Sequence, residues 1–293
     1  MSSLSSLVGS VVAVGIRVWV RVGGRAVTGK EAPWLVVPVG GRGKIGAGFY
    51  ALLARREKLT LRESSDAGLL PDFGALRGPE FEPDRVHPQI RDFYEHTQLY
   101  RMEVWSEAGL WTRLFLWGLT RFVSQNMDQL NFPVSSLELS RGMSSEVLPF
   151  YDAKGRRIYT GWLRRLKANG RVIYTGLYSV ERTPNESGPC VKVSFPLPFG
   201  SSVVFLRPSV EEDGSFRLIS SGNTFGDAGF YRLVRVGRRR QAPRYRVRYL
   251  STLRETFHLY VDDEETLRTD HLVRFCGLTI LRLHYKMERQ VAA

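Results

Sequence analysis

Apolar and polar residues alternate in short runs through the second half of the chain, from about Ser144 to Met287, with turn residues between the runs. Alternation with a period of two marks strands that bury one face, and connections this short can join only antiparallel neighbours. The runs predict strands over Ser145–Tyr151, Arg157–Leu166, Arg171–Arg182, Cys190–Phe195, Ser202–Arg207, Ser215–Ser220, Phe230–Val236, Tyr245–Val261 and Leu267–Met287. The clearest hairpin turns at Asn169-Gly170, where the type I′ geometry needs two residues that tolerate positive φ. Its arms echo each other, as Ile158-Tyr-Thr-Gly-Trp162 and Ile173-Tyr-Thr-Gly-Leu177. With a two-residue turn Gly161 faces Tyr178 and Gly176 faces Leu163, so each glycine leaves room beneath a large neighbour and bends the sheet.

The first half reads differently. Residues Val11 to Val22 alternate, with Val12, Val14, Ile16, Val18, Val20 and Val22 against Arg17, Trp19 and Arg21, and predict a half-exposed strand. A second apolar run, Trp34–Val39, precedes a glycine-rich stretch and a helix-like segment, Phe49–Leu59. Residues 64–86 turn to Asp, Gly, Pro and Glu and predict a linker between an N-terminal β/α segment (1–63) and a main domain (87–293). Helical spacing then runs from Pro88 to about Leu130. Its second part, Glu107–Val123, is apolar nearly all round and is interrupted by Arg113 and Arg121. The expected fold is α+β: a large curved antiparallel meander, open or barrel-like, wrapped on a helical layer.

Charge changes the picture only in part. The 42 Lys and Arg exceed the 29 Asp and Glu to give a net charge of +13, which favours anionic partners. The arginines are spread along strands, and the densest cluster, Arg238 to Arg244, lacks the interleaved aromatics of a single-strand platform, so nucleic acid is not the expected partner. Cys190 and Cys276 stand in no metal or redox spacing and are expected to be reduced thiols. The apolar run Leu7 to Ile16 lacks preceding basic residues and is cut by Arg17, a poor signal peptide and too short a span. A cytoplasmic protein, with peripheral membrane contact as an alternative, is the expectation.

Candidate chemistry is sparse. Gly41-x-Gly43-x-x-Gly46 has the context of a dinucleotide fingerprint, with Glu63 some twenty residues on. No further strand-helix-strand unit follows to build a cofactor crevice, so NAD(P) is not expected; Arg42 and Lys44 could at most meet an anion there. His258, His271 and His284 share a spacing of thirteen. On one continuous strand the last two stand about 40 Å apart at ~3.3 Å per residue, too far for a shared metal, and only a reversal at Cys276-Gly277 would bring them together. No metal is expected. Asp270-His271 and Glu95-His96 are sequence neighbours that point apart, whereas Glu255 from another strand can orient His271. Inward-capable polar and aromatic positions are Trp162, Arg164, Tyr174, Tyr178, Arg207, Tyr231, Arg248, Glu255 and Tyr285, the composition of a small-molecule wall as much as of plain strand packing.

Several motifs carry a resemblance. His87-Pro88 with Phe93-Tyr94, Gly142-Met-Ser-Ser-Glu146, Tyr159-Thr-Gly-Trp-Leu-Arg164, Gly188-Pro-Cys-Val-Lys-Val193, Phe225-Gly-Asp-Ala-Gly-Phe-Tyr231, Leu267-Arg-Thr-Asp-His271 and Leu281-Arg-Leu-His-Tyr285 resemble the pattern of an uncharacterised bacterial family, over roughly residues 46 to 287. The His-Pro start, the Trp-x-Arg strand and the closing strand are also similar to a domain of unknown function that follows saccharopine-dehydrogenase-like domains. Neither resemblance implies an activity or catalytic residues. Three expectations stand from the residues. One is a module that binds an apolar or amphipathic small molecule, its acidic group met by Arg164 or Arg207, with Trp162, Tyr178, Tyr231, Arg248 and Tyr285 as further contacts. The next is an enzyme of the same architecture with His96 or His271 as general acid/base and Glu255 beside it. The last is a peripheral membrane protein docked through Trp111, Arg113, Trp117 and Arg121.

Overall fold

In the computed structural model, fourteen strands form one branched antiparallel sheet, and residues 14–40, 45–46, 48–107, 142–198, 200–237 and 244–290 are described. The short strands β1 (Arg25–Thr28) and β2 (Thr60–Leu61) precede β3 (Tyr100–Glu107) and β4 (Met143–Tyr151). The hairpin β5 (Arg157–Leu166) and β6 (Val172–Glu181) leads into β7 (Cys190–Leu197) and the long β8 (Gly200–Val210). Then come β9 (Phe216–Ile219), β10 (Phe230–Val236), β11 (Arg244–Tyr249), β12 (Leu253–Val261), β13 (Leu267–Phe275) and β14 (Leu278–Arg289).

The branch point is β8. Gly200–Val204 of β8 pairs with β10, and Arg207–Val210 pairs with β9, while β7 runs along its other side. One branch continues β10-β11-β1 and the other β9-β12-β13-β14-β3. Curling of the second branch brings β3 close to β4, yet these two strands form no ladder. Beside that seam the Val147 amide donates to Gln98 Oε1 at 2.8 Å. The sheet is therefore open, mainly β, and not a closed barrel.

Each face has its own core. Between strands β4–β8 with β10 and the second branch lie Val147, Trp162, Val193, Val204 and Phe230 from one side and Phe216, Leu259, Leu267, Leu283, Tyr285 and Met287 from the other. Residues 67–100 plug this core with Leu69, Leu70, Phe73, Leu76, Phe81, Ile90 and Phe93. The composition of 64–86 that reads as a linker thus belongs to turns whose apolar residues are buried, because Asp72 caps one short 3-10 turn and Pro83 starts another. The outer face of β4–β8, β10 and β11 is covered by the N-terminal residues: Trp34, Leu35 and Val37 against Phe205, Tyr231 and Leu233, and helix α2 (Phe49–Glu57) against Phe150, Leu163 and Leu177.

Several elements differ from the sequence expectation. Residues 14–23 form a helix, α1, and not a strand; β1 already pairs with β11, and a helix satisfies its backbone without a neighbour. The run Trp34–Val39 enters no ladder but starts with a 3-10 turn at Pro33–Leu35. Helix α3 (Pro88–Glu95) begins where Pro88 places it, with His87 Nδ1 accepting from the Gln89 amide at 3.3 Å. It is short: Thr97–Leu99 turns and β3 follows, so the expected helix does not run on from Pro88, and most of Glu107–Val123 lies outside the described residues. Among the described residues the helical layer is α3 with its flanking turns. Two long predicted strands are in fact pairs, Tyr245–Val261 broken at Leu250–Thr252 and Leu267–Met287 reversed at Cys276 and Gly277, whose φ of 50° and 82° make the tight turn. The β5–β6 loop is four residues, 167–170, and not the expected two, since the Leu166 amide donates to Arg171 O; with a bulge at Arg164/Arg165 this sets Gly161 opposite Leu177 and Gly176 opposite Trp162.

Candidate functional site

Alternation fixes what points inward. On β5 and β6, Trp162 and Arg164 share the inner face with Tyr174 and Tyr178, since Arg164 opposes Tyr174 and Thr160 opposes Tyr178. On the second branch Glu255, His271 and Tyr285 share it, buried with their neighbours. The glycines of the hairpin echo make these positions. A side chain at Gly161 would meet the Tyr50 ring at 2.7 Å, and the Tyr50 hydroxyl donates to Trp162 O and Gly176 O, 2.9 Å each, tying α2 under the hairpin. A side chain at Gly176 would meet the Tyr174 hydroxyl, which is how that ring leans across to Tyr178, hydroxyl to hydroxyl at 3.0 Å.

The inner cluster is both aromatic and charged. Trp162 stands edge-on to Tyr174 and to Tyr178, with centroids 5.7 Å apart, and its Nε1 donates to Ser145 Oγ at 2.7 Å. The Arg164 guanidinium lies 5.1 Å from the Trp162 ring centre and 5.3 Å from that of Tyr285. His271 stacks on Phe257 at 4.0 Å and hydrogen-bonds Glu255 through Nε2 at 2.6 Å. Burial raises the hydroxyl pKa values of Tyr174, Tyr178 and Tyr285; Glu255 raises them further, and Arg164 opposes the rise at Tyr178 and Tyr285. These phenols are therefore neutral donors at physiological pH.

The other expected residues lie elsewhere. Tyr231 is fully buried on the opposite face, against Trp34 and Phe205, with its hydroxyl donating to Asp227 O at 2.6 Å. Arg207 is exposed and pairs with Glu186 at 3.5 Å. Arg248 covers the Trp19 ring of α1 at 4.0 Å. His96 sits at the surface, 3.1 Å from Asp92. Trp111, Arg113, Trp117, Arg121, Gly41 and Gly43 lie outside the described residues, and Gly46 takes a φ of 52° ahead of α2. The cluster thus unites Trp162, Arg164, Tyr178, Tyr285, His271 and Glu255, and separates them from Arg207, Tyr231, Arg248 and His96.

The reversal at Cys276-Gly277 does bring His271 and His284 onto adjacent strands, but on opposite faces: His271 opposes Leu283, while Asp270 opposes both His258 and His284. His284 Nδ1 lies 2.6 Å from Asp270 Oδ1 and His258 Nε2 lies 3.2 Å from Ser215 Oγ. Among the described residues no group of three or more His, Cys, Asp or Glu is placed to hold a metal ion. Both cysteines are free, Cys190 buried and Cys276 exposed.

Two features lacked a usable signal in the sequence. One is a surface cleft of about 270 Å³ at Asp72, Asp84, Asp92 and Glu95. Its carboxylates are occupied: Asp84 by Arg77 and Arg91, Asp92 by Tyr100, and Glu95 and Asp72 by the Phe73 and Gly74 amides. It is lined by none of the expected ligand contacts. The other is α1, where Val20 is buried and Val14, Ile16, Val18, Trp19 and Val22 are exposed, Val22 to 81%. The carbonyls of Gly23, its last residue, and of Gly24 just beyond accept from Arg248 and Arg246, cations suited to a helix C-terminus. The alternating valines hid this helix.

The chain is 27% identical over 252 residues to the uncharacterised membrane protein YndJ of Bacillus subtilis (strain 168). The match covers 84% of this chain and 42% of that protein, so the chain spans less than half the length of its relative. A relative without a characterised role agrees with the resemblance to an uncharacterised bacterial family. No family model and no solved structure matches the chain. No helix among the described residues is long and apolar enough to cross a membrane.

Proposed function

We propose that the protein associates with the surface of an anionic lipid bilayer through helix α1. The observation that carries this reading is the outward-facing apolar surface of α1: Trp19 is 46% exposed and Val22 81%, an arrangement that water penalises and an acyl boundary rewards. Arg17, Arg21, Arg25 and Arg248 surround it. Burying a half-covered valine or tryptophan further contributes about 1 kcal/mol, and each arginine near an anionic leaflet about another. Together these reach reversible, salt-sensitive binding and fall well short of a spanning segment. The relative's description as a membrane protein supports the same reading, as does the net charge of +13. The docking element differs from the one expected at Trp111 and Trp117.

Flotation with vesicles of mixed phosphatidylcholine and phosphatidylglycerol tests it. The wild type is expected to float at low salt and to be released as salt rises, and Val18→Asp with Val22→Asp abolishes flotation. Failure of the wild type to float, or unchanged flotation of the variant, refutes the proposal. A wild type that instead sediments as a dimer dissolved by the same substitutions assigns the face to a second copy of the chain.

A further inference from the structure

The inner cluster holds a positive charge that the described residues do not neutralise. Arg164 is 8% exposed, its guanidinium meets the Met143 thioether at 3.7 Å through Nη2 and hydrogen-bonds the Tyr285 side chain, and its Nε has no hydrogen-bond partner among the described residues. No carboxylate among the described residues forms an ion pair with it, and Glu255, the acid of the cluster, is committed to His271. His271 is 5% exposed and its Nδ1 is also unpartnered. Both groups pack against the same ring, Tyr285. A buried charge without a counter-ion and a buried nitrogen without a partner each cost several-fold more than a paired group, so folds rarely keep two side by side without use.

Their position is equally specific. Arg164 opposes Ser145 on β4, and Tyr285 opposes Val104 on β3, so both flank the seam where β3 and β4 approach without a ladder. The Val147–Gln98 hydrogen bond lies beside this seam but no β3–β4 ladder crosses it, so the seam can part without breaking strand pairs. The surrounding Trp162, Tyr174 and Tyr178 supply flat apolar walls with hydroxyl donors at their ends.

We propose that Arg164 binds the carboxylate of a small amphipathic acid, which enters at the β3/β4 seam and lays its apolar body along Trp162, Tyr174, Tyr178 and Tyr285. A guanidinium matches a carboxylate through two parallel N–H bonds, and the unpaired Nε is one of the donors such a fork uses. The inference stands independently of membrane docking, because no residue of α1 takes part.

Titration of the delipidated full chain with the fluorescent cis-parinaric acid tests it, with the neutral methyl ester as the paired probe. The acid is expected to bind at least ten-fold more tightly than the ester. Arg164→Met is expected to lose at least ten-fold in acid affinity and leave the ester unchanged, and Arg164→Lys to fall between. The Val18→Asp, Val22→Asp variant keeps full acid affinity. No uptake of the acid by the wild type, equal affinity for acid and ester, or loss of acid binding in the α1 variant would each overturn the proposal. The acid-to-ester ratio of the wild type decides it even if Arg164→Met does not fold.

Discussion

Lys192 offers a quantitative check on how the N-terminal residues are held against the sheet. Its side chain is 3% exposed on the outer face of β7, its ammonium donates to Val36 O at 3.0 Å, and it lies 5.7 Å from the Phe205 ring centre. Burial lowers its pKa from 10.5 to about 8, with Glu181 opposing the change. At 1.36 kcal/mol per pH unit the ionised lysine costs the folded state about 3 kcal/mol. The unfolded chain binds the extra proton between pH 8 and 10.5, so this cost is present in full at pH 7 and disappears as pH rises through that window. Lys192→Met removes the charge but strands the Val36 carbonyl, at about 1–3 kcal/mol. Urea unfolding of both proteins is expected to show the variant equal to or up to about 2 kcal/mol more stable at pH 7. The wild type should then gain about 3 kcal/mol on the variant by pH 10.5. Other ionisations cancel in the difference, so a gap that stays constant across the window within about 1 kcal/mol refutes the burial argument.

Two further predictions concern the ground on which the inner cluster stands. Gly161→Ala forces a methyl to within 2.7 Å of the Tyr50 ring and should cost about 1–3 kcal/mol in thermal unfolding, part of which returns in the Gly161→Ala, Tyr50→Leu double variant. Strict additivity of the two substitutions would show that the ring does not fill the space left by the glycine. Glu255→Leu strands the buried His271 and should lose about 1–3 kcal/mol, whereas Glu255→Leu with His271→Phe recovers most of it, because replacing both partners of a buried pair leaves no orphan. A double variant no more stable than the single one would argue against the pairing.

Much of the sheet was legible because its signals are local. Asn169-Gly170 marks the hairpin turn, where Gly170 takes a φ of 69°, and β10 occupies Phe230–Val236 as the alternation predicts. The partnership of Glu255 with His271 was also legible, since both sit at inward positions of adjacent strands. What failed were features decided by tertiary contacts. Leu250–Thr252 contains no Gly or Pro, so nothing local divides β11 from β12, yet the two strands go to different branches of the sheet. The break at Cys276 requires a non-glycine residue at positive φ, which composition disfavours. In residues 64–86 the turn-forming Asp, Gly and Pro outnumber Leu69, Leu70, Phe73, Leu76 and Phe81, but those five fill the core.

The two proposals rest on opposite departures from one rule. Globular chains place apolar groups inside and charges outside, and where a sequence breaks that consistency the break tends to coincide with function. Helix α1 turns valines and Trp19 to solvent while the interior of the sheet keeps Arg164 without an acid. Neither is relieved by rearranging the described residues. Rotating α1 to bury its valines would uncover Val20 and release the carbonyls of Gly23 and Gly24 from Arg248 and Arg246. Arg164 cannot turn outward, because it alternates with Leu163 and Arg165 on a strand held from both sides by β4 and β6. A one-residue slip would bury Arg165 in its place. The fold fixes both departures, and the two proposals supply what the described residues do not: an apolar phase for the helix and an anion for the guanidinium.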